Sequence, residues 1–223
     1  MKRYEVTLKG ETPLLMHHDN LAWDGLLKKW QLDPGNKKAS VAGDDRSPAF
    51  RWIGYLYRTF DKKFAAIPSD NLMTALREGG AKCPTGKGQQ TFKAMTQSGL
   101  VVDQAEWALI DPRTGKPYSV DGVDDLIKED EFVKHEAWAE KRGFELFAKR
   151  AKVGQNKHVR VRPRFDHWAA AGSITVMEPR ITSDVLENIL KHAGAYSGLC
   201  DWRPSSPKSP GSYGRFSVEV TQA

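Results

Sequence analysis

The chain predicts a fold of the α+β class, in which strands and amphipathic helices follow one another without an internal repeat. Three observations carry that expectation. Residues 3–9 (RYEVTLK), 158–165 (HVRVRPRF) and 214–220 (GRFSVEV) alternate polar and apolar side chains, the period-two signature of a half-buried strand. Residues 69–80 and 182–194 instead set Leu72, Met73 and Leu76, and Val185, Leu186, Ile189 and Leu190, at helical spacing. Turn-forming groups such as Asp111-Pro112-Arg113-Thr114-Gly115 and Gly154-Gln155-Asn156 separate the elements.

Taken in order, the first strand continues through Leu14, Leu15 and Met16 after Thr12-Pro13. Residues 21–32 read as a short helix with Trp23, Leu26, Leu27 and Trp30 on one side. The stretch 33–47 is loop by composition. Its Asp44-Asp45 pair has no third carboxylate nearby and reads as solvated rather than cation-binding. Residues 49–58 (AFRWIGYLYR) make an aromatic strand. Ser69 is placed to cap the next helix, with Asp70 in its first turn and Gly79-Gly80 at its end. Residues 81–98 are a flexible basic loop, followed by strands at 99–103 and 107–110. The span 121–142 reads as one charged helix with Leu126, Ile127, Phe132, Val133 and Trp138 as its buried side. Strands at 144–153, 158–165 and 168–177 follow, the first two forming a hairpin. Thr182 caps the last helix, Gly194 ends it, and the strand 214–220 closes the chain. The expected organisation is one domain over 1–223, decorated by the loop 81–98 and the charged helix 121–142.

With 223 residues, 39% of them hydrophobic and seven of them Trp, the chain can bury a sizeable core. Its net charge of +6 suits a polyanionic partner. The charge is uneven: 121–131 (DGVDDLIKEDE) is acidic, and the stretch after it is basic. Cys83 and Cys200 match no ligand spacing, so neither a metal nor another cofactor is expected, and reduced thiols point to the cytoplasm. The opening MKRYEVTLKG lacks an apolar signal core and no stretch approaches 18 apolar residues, so no membrane association is expected.

The most informative segment is 157–165 (KHVRVRPRF). As a strand it sends His158, Arg160, Arg162 and Arg164 to one face, and Val159, Val161, Pro163 and Phe165 to the other. Guanidiniums repeat at about 6.6 Å, twice the strand rise, which suits the phosphates of an extended single strand. Lys149, Arg150, Lys152 and Lys157 add to the basic surface, although the same pattern also suits an edge strand protected by charge. A second candidate is the loop 198–214. Its Gly198, Gly211 and Gly214 allow close approach of backbone N–H groups to phosphate, with Arg203, Lys208 and Arg215 as cations and Trp202 as a stacking surface. Third, Lys82, Lys87 and Lys93 with Phe92 suit a thumb that folds over a strand. The run 80–88 has neither the glycine spacing nor the Ser/Thr of a phosphate-binding P-loop.

Three places resemble the RAMP superfamily, in particular the backbone subunits of CRISPR effector complexes. Residues 66–77 (AIPSDNLMTALR) are similar to that family's I-P-G-S-S-L-x-G-A-L-R run, with Asp70 and Thr74 as departures. Gly198-Leu199-Cys200-Asp201-Trp202-Arg203-Pro204 and Gly211-Ser212-Tyr213-Gly214-Arg215-Phe216 resemble its glycine-rich loop before the final strand. The opening strand running into Thr12-Pro13-Leu14-Leu15-Met16 is the third. The match spans about a third of the chain, and the sequence also looks like proteins carried by tailed bacteriophages. The resemblance implies a ferredoxin-like (RRM-like) βαββαβ core with large insertions that grips single-stranded nucleic acid, often as a helical polymer. It also implies a second possibility, a metal-independent ribonuclease using His17 or His18, with Asp19 orienting one of them.

The leading expectation is therefore a non-enzymatic protein that assembles cooperatively on single-stranded DNA or RNA as a homo-oligomer or filament. The alternatives are the ribonuclease and an interaction protein that obstructs a nucleic-acid machine.

Overall fold

A computed structural model describes residues 1–39, 41, 43–153 and 156–222, and of 151–153, 156 and 157 the backbone alone. It is a mixed α/β fold built on antiparallel sheets. The elements are β1 (Lys2–Gly10), β2 (Leu14–Leu15), α1 (Leu21–Leu32), β3 (Ala66–Pro68), α2 (Ser69–Gly80), α3 (Lys93–Gly99), β4 (Leu100–Val102), β5 (Glu106–Asp111) and β6 (Lys116–Pro117). They continue with α4 (Phe132–Glu140), β7 (Glu145–Val153), β8 (Asn156–Phe165), β9 (Ala169–Val176), α5 (Ser183–His192) and β10 (Phe216–Gln222).

The main sheet runs β10-β1-β9-β5-β3, with β4 also on β9 and β6 on β5. Its interior strand β1, between β10 and β9, buries Tyr4, Val6 and Leu8, while Arg3, Glu5 and Lys9 face water. This is the alternation read from the sequence. Helices α2 and α5 lie on the apolar face, where Leu72 and Leu76 of α2 and Leu190 of α5 meet Leu8, Trp107 and Ile174 of the sheet. Gly172 lets this core close, because a Cβ there would stand 2.2 Å from the Trp107 ring. The Thr182 hydroxyl accepts from the Val185 N–H and caps α5. At α2 the expected cap is displaced: Ser69 is the first helical residue, and Pro68 precedes it without a side-chain bond.

A second, three-stranded sheet runs β2-β8-β7. The β7–β8 hairpin pairs from Glu145↔Arg164 to Val153↔Asn156, and the expected turn residues Gly154 and Gln155 lie outside the described residues. Val161 and Phe165 are fully buried, as their strand face requires.

Three expectations are corrected. Residues 49–55 form a 3-10 helix rather than a strand, because Ala49, Phe50, Trp52 and Ile53 are all buried and a strand would turn alternate ones outward. The span 121–142 is two pieces, a 3-10 helix at Val123–Lys128 and α4. The Glu129 carboxylate accepts the Glu131 N–H at 3.0 Å, a side-chain bond that competes with helix continuation. Its fully buried residues are Val123, His135 and Ala139, whereas Val133 is 63% exposed. Finally, 81–98 is not all loop. Its second half is α3, seated on α2 through buried Thr96, whose hydroxyl donates to the Phe92 carbonyl.

Candidate nucleic-acid interface

The hairpin places the predicted arginines on one face, and that face is occupied. Arg160 donates to Asp45 at 3.0 Å, and Asp45 is completely buried, also holding Arg51 at 3.2 Å and the Tyr55 hydroxyl at 3.2 Å. Arg162 pairs with Asp201, and Arg164 with Glu145 at 2.7 Å and Asp166 at 2.6 Å. The expectation of a bare guanidinium row is therefore corrected. Closely spaced cations, only partly exposed, repel one another, and the chain neutralises them with its own carboxylates. Asp44 pairs with Arg46, and Asp45, read from the sequence as solvated, is the most buried acid of the cluster.

Strand pairing also divides the remaining cations. Lys149 stands opposite Arg160 and shares its face, whereas Arg150 stands opposite Val159 and faces the other way. One continuous surface cannot include both. His158 is half-buried and opposite Ala151, while the side chains of Lys152 and Lys157 lie outside the described residues.

The loop 198–214 folds directly over this face, so two segments far apart in sequence meet. The Trp202 ring stacks on Tyr213 at 6.1 Å, with Phe147 of β7 at 6.2 Å from Tyr213. The Lys149 ammonium sits 4.2 Å above the Trp202 ring, and the Arg162 guanidinium 5.3 Å from it. Trp202 is half-buried. It has φ of 52° and Cys200 φ of 61°, so two non-glycine residues in the left-handed region flank Asp201 and aim its carboxylate inward.

The loop glycines serve the chain itself. Gly198 N–H donates to Ala193, Gly211 N–H to Arg203 and Gly214 N–H to Pro13, so these amides are not left to cradle phosphate as expected. Arg215 is likewise spent on the Ala195 carbonyl. Arg203 makes neutral contacts, to the Cys200 carbonyl at 3.2 Å and the Ser205 hydroxyl at 3.0 Å, and Lys208 is exposed. Burial pushes the Cys200 thiol up to about 12, with Asp201 adding to the shift, so it stays protonated.

Of the expected thumb, Lys82, Lys87 and Lys93 are exposed, and Phe92 is packed against the core instead of free. Lys82 and Lys93 do converge. With Arg77, Gln97, Tyr196 and Ser205 they line a cleft of about 530 Å³. Tyr196, 58% exposed and stacked on His192 at 5.5 Å, was missed in the sequence because it lies just past a helix that reads as finished.

His17 and His18 diverge. His17 Nδ1 lies 3.8 Å from the Asp201 carboxylate, and its ring meets Tyr55 edge-on at 4.5 Å. Burial, then the Arg162 charge, hold its pKa below the ordinary histidine value, so it is neutral near pH 7. The acid near His17 is Asp201 rather than the expected Asp19, and it is paired with Arg162. His18 stacks on Tyr57 at 4.8 Å. Among the described residues no cluster of three or more His, Cys, Asp or Glu side chains is arranged to hold a metal, and no helix is long and apolar enough to cross a membrane. No protein-family model matches the chain, and no curated protein matches it.

Proposed function

We propose that the protein binds single-stranded nucleic acid without chemically altering it, through the surface where the loop 198–214 covers the β7–β8 hairpin. The observation that carries this reading is the stacked pair Trp202–Tyr213 with the Lys149 ammonium over the Trp202 ring, a cation that, among the described residues, no carboxylate holds. Bases stack on such rings whatever their sequence, and a neighbouring ammonium meets the phosphates. The paired arginines then act as the rigid support of the platform. The cleft of Arg77, Lys82 and Lys93, which Glu78 also lines, reaches the same loop at Ser205 and adds cations to the surface.

A ferredoxin-like core of the RAMP type, as the resemblance implies, fits this reading. The succession β1-α2-β5-β9-α5-β10, with β10, β1, β9 and β5 adjacent in that order and both helices on one face, is the arrangement a βαββαβ unit would have. A homo-oligomer along the strand, and a cytoplasmic setting, belong to the same proposal.

The test is fluorescence anisotropy of labelled oligo-dT and oligo-U across a salt series. Trp202→Ala is expected to weaken binding by about 1–3 kcal/mol. Lys149→Ala with Arg203→Ala is expected to flatten the log–log salt slope by roughly 1.4, two contacts at about 0.7 each. A wild-type chain that binds neither oligonucleotide overturns the proposal.

One observation favours a second reading, a metal-independent ribonuclease: the neutral His17 with the Asp201 carboxylate 3.8 Å from its Nδ1. RNA left intact in EDTA by the wild type, or cut equally by His17→Ala, removes it.

A further inference from the structure

Around His18 lies an open cleft of about 360 Å³, lined by His18, Tyr57, Arg58, Asp70, Asn71 and Glu106. Its size is that of a small-ligand site. The chemistry of its lining is specific. His18 and Tyr57 form one stacked π unit, their planes 25° apart. Asp70, which is exposed, and Glu106, which is half-buried, bring two carboxylates that, among the described residues, make neither an ion pair nor a hydrogen bond. Arg58 is fixed by Asp124 at 3.0 Å and keeps further N–H donors.

We propose that this cleft takes one unstacked guanine base. Guanine sets an N1–H and an N2 amine side by side, two donors that one carboxylate accepts together. Adenine and cytosine offer a single amine on that edge, and uracil a single N–H. The other edge of guanine carries the O6 and N7 acceptors that an arginine fork matches. Its face suits the His18–Tyr57 unit. A cleft with two free carboxylates repels a phosphate, so it is the base rather than the backbone that enters. The inference rests on the strand-binding reading only for where the base comes from. The two sites adjoin, since the Asn71 amide lies 4.0 Å from the Cys200 sulfur of the platform loop.

The experiment titrates the full chain with GMP, IMP, AMP and UMP by calorimetry, beside the oligonucleotide titration. GMP is expected to bind at least about tenfold more tightly than IMP, which lacks only the N2 amine and so one charge-assisted hydrogen bond. Asp70→Asn and Glu106→Gln together are expected to abolish the GMP-over-IMP preference while oligo-dT binding stays as in the parent. Asp70 also stands in the first turn of α2, where the helix dipole favours a carboxylate. A purely structural role there would move the melting temperature and leave the preference intact. Equal binding of GMP and IMP, or a preference that survives both substitutions, overturns the inference. Oligonucleotide binding that persists beside equal GMP and IMP binding defeats the cleft alone. A GMP preference without any oligonucleotide binding upholds the cleft and defeats the strand reading.

Discussion

His135 sits fully buried between Trp52 and the backbone of the acidic segment. The Trp52 indole N–H donates to its Nδ1 at 3.0 Å, and Nε2 lies 2.9 Å from the Glu129 carbonyl. That arrangement defines the neutral tautomer, with the proton on Nε2. Burial holds the pKa below the ordinary histidine value of 6.5. The unfolded chain therefore takes up the proton first as pH falls beneath that value, so the stability is complete above it and declines on acidification. Melting curves between pH 8 and pH 5 should show this loss in the wild type and a smaller one in His135→Gln. Parallel curves would contradict the assignment. Asp45 is a second such residue. Asp45→Asn leaves Arg160 and Arg51 without their shared partner and should cost about 3–5 kcal/mol in urea unfolding. Arg160→Ala should cost less, because Arg51 still pairs with Asp45. Gly214→Ala combines a φ of +71° with a Cβ 2.1 Å from the Leu199 carbonyl oxygen, and should lower stability by more than the 1 kcal/mol typical of glycine replacement.

At the level of elements, the hairpin and the loop 198–214 form one unit. β8 supplies the arginines, the loop supplies Asp201 and Trp202, and neither face is complete alone. Truncating the loop should expose Arg162 and destabilise the hairpin, a loss readable as increased amide exchange in β7 and β8. Helix α1 behaves differently. It has no buried residue, and Leu21 and Leu32 are 81% and 70% exposed. Its amides should exchange much faster than those of α2 and α5, which cover the sheet. Equal protection of the three helices would show that something else covers α1. The span 121–142 buries Val123, His135 and Ala139 completely.

For the whole molecule, the net charge of +6 favours association with polyanions at low ionic strength. The internal pairing of Arg160, Arg162 and Arg164 means that this attraction is carried by other cations. If the chain polymerises along a strand, electron microscopy with single-stranded DNA or RNA should show extended assemblies that high salt dissolves. Unchanged single particles under all conditions would confine it to monomeric binding.

Period-two and helical patterns by themselves determined the α+β class, the hairpin, the capped helix α5 and which face of β8 enters the core, because these follow from local backbone geometry. The same local rules place three arginines on one side of a strand. What Arg160 and Arg162 touch was decided only by tertiary structure, which brought Asp45 and Asp201 to them. Alternation tells where a side chain points and carries no information on what arrives from elsewhere in the chain. The split at Glu129–Glu131, the 3-10 helix at 49–55 and the meeting of Trp202 with Lys149 have the same origin. Each depends on a competing contact or on a partner distant in sequence, and only the folded packing selects it.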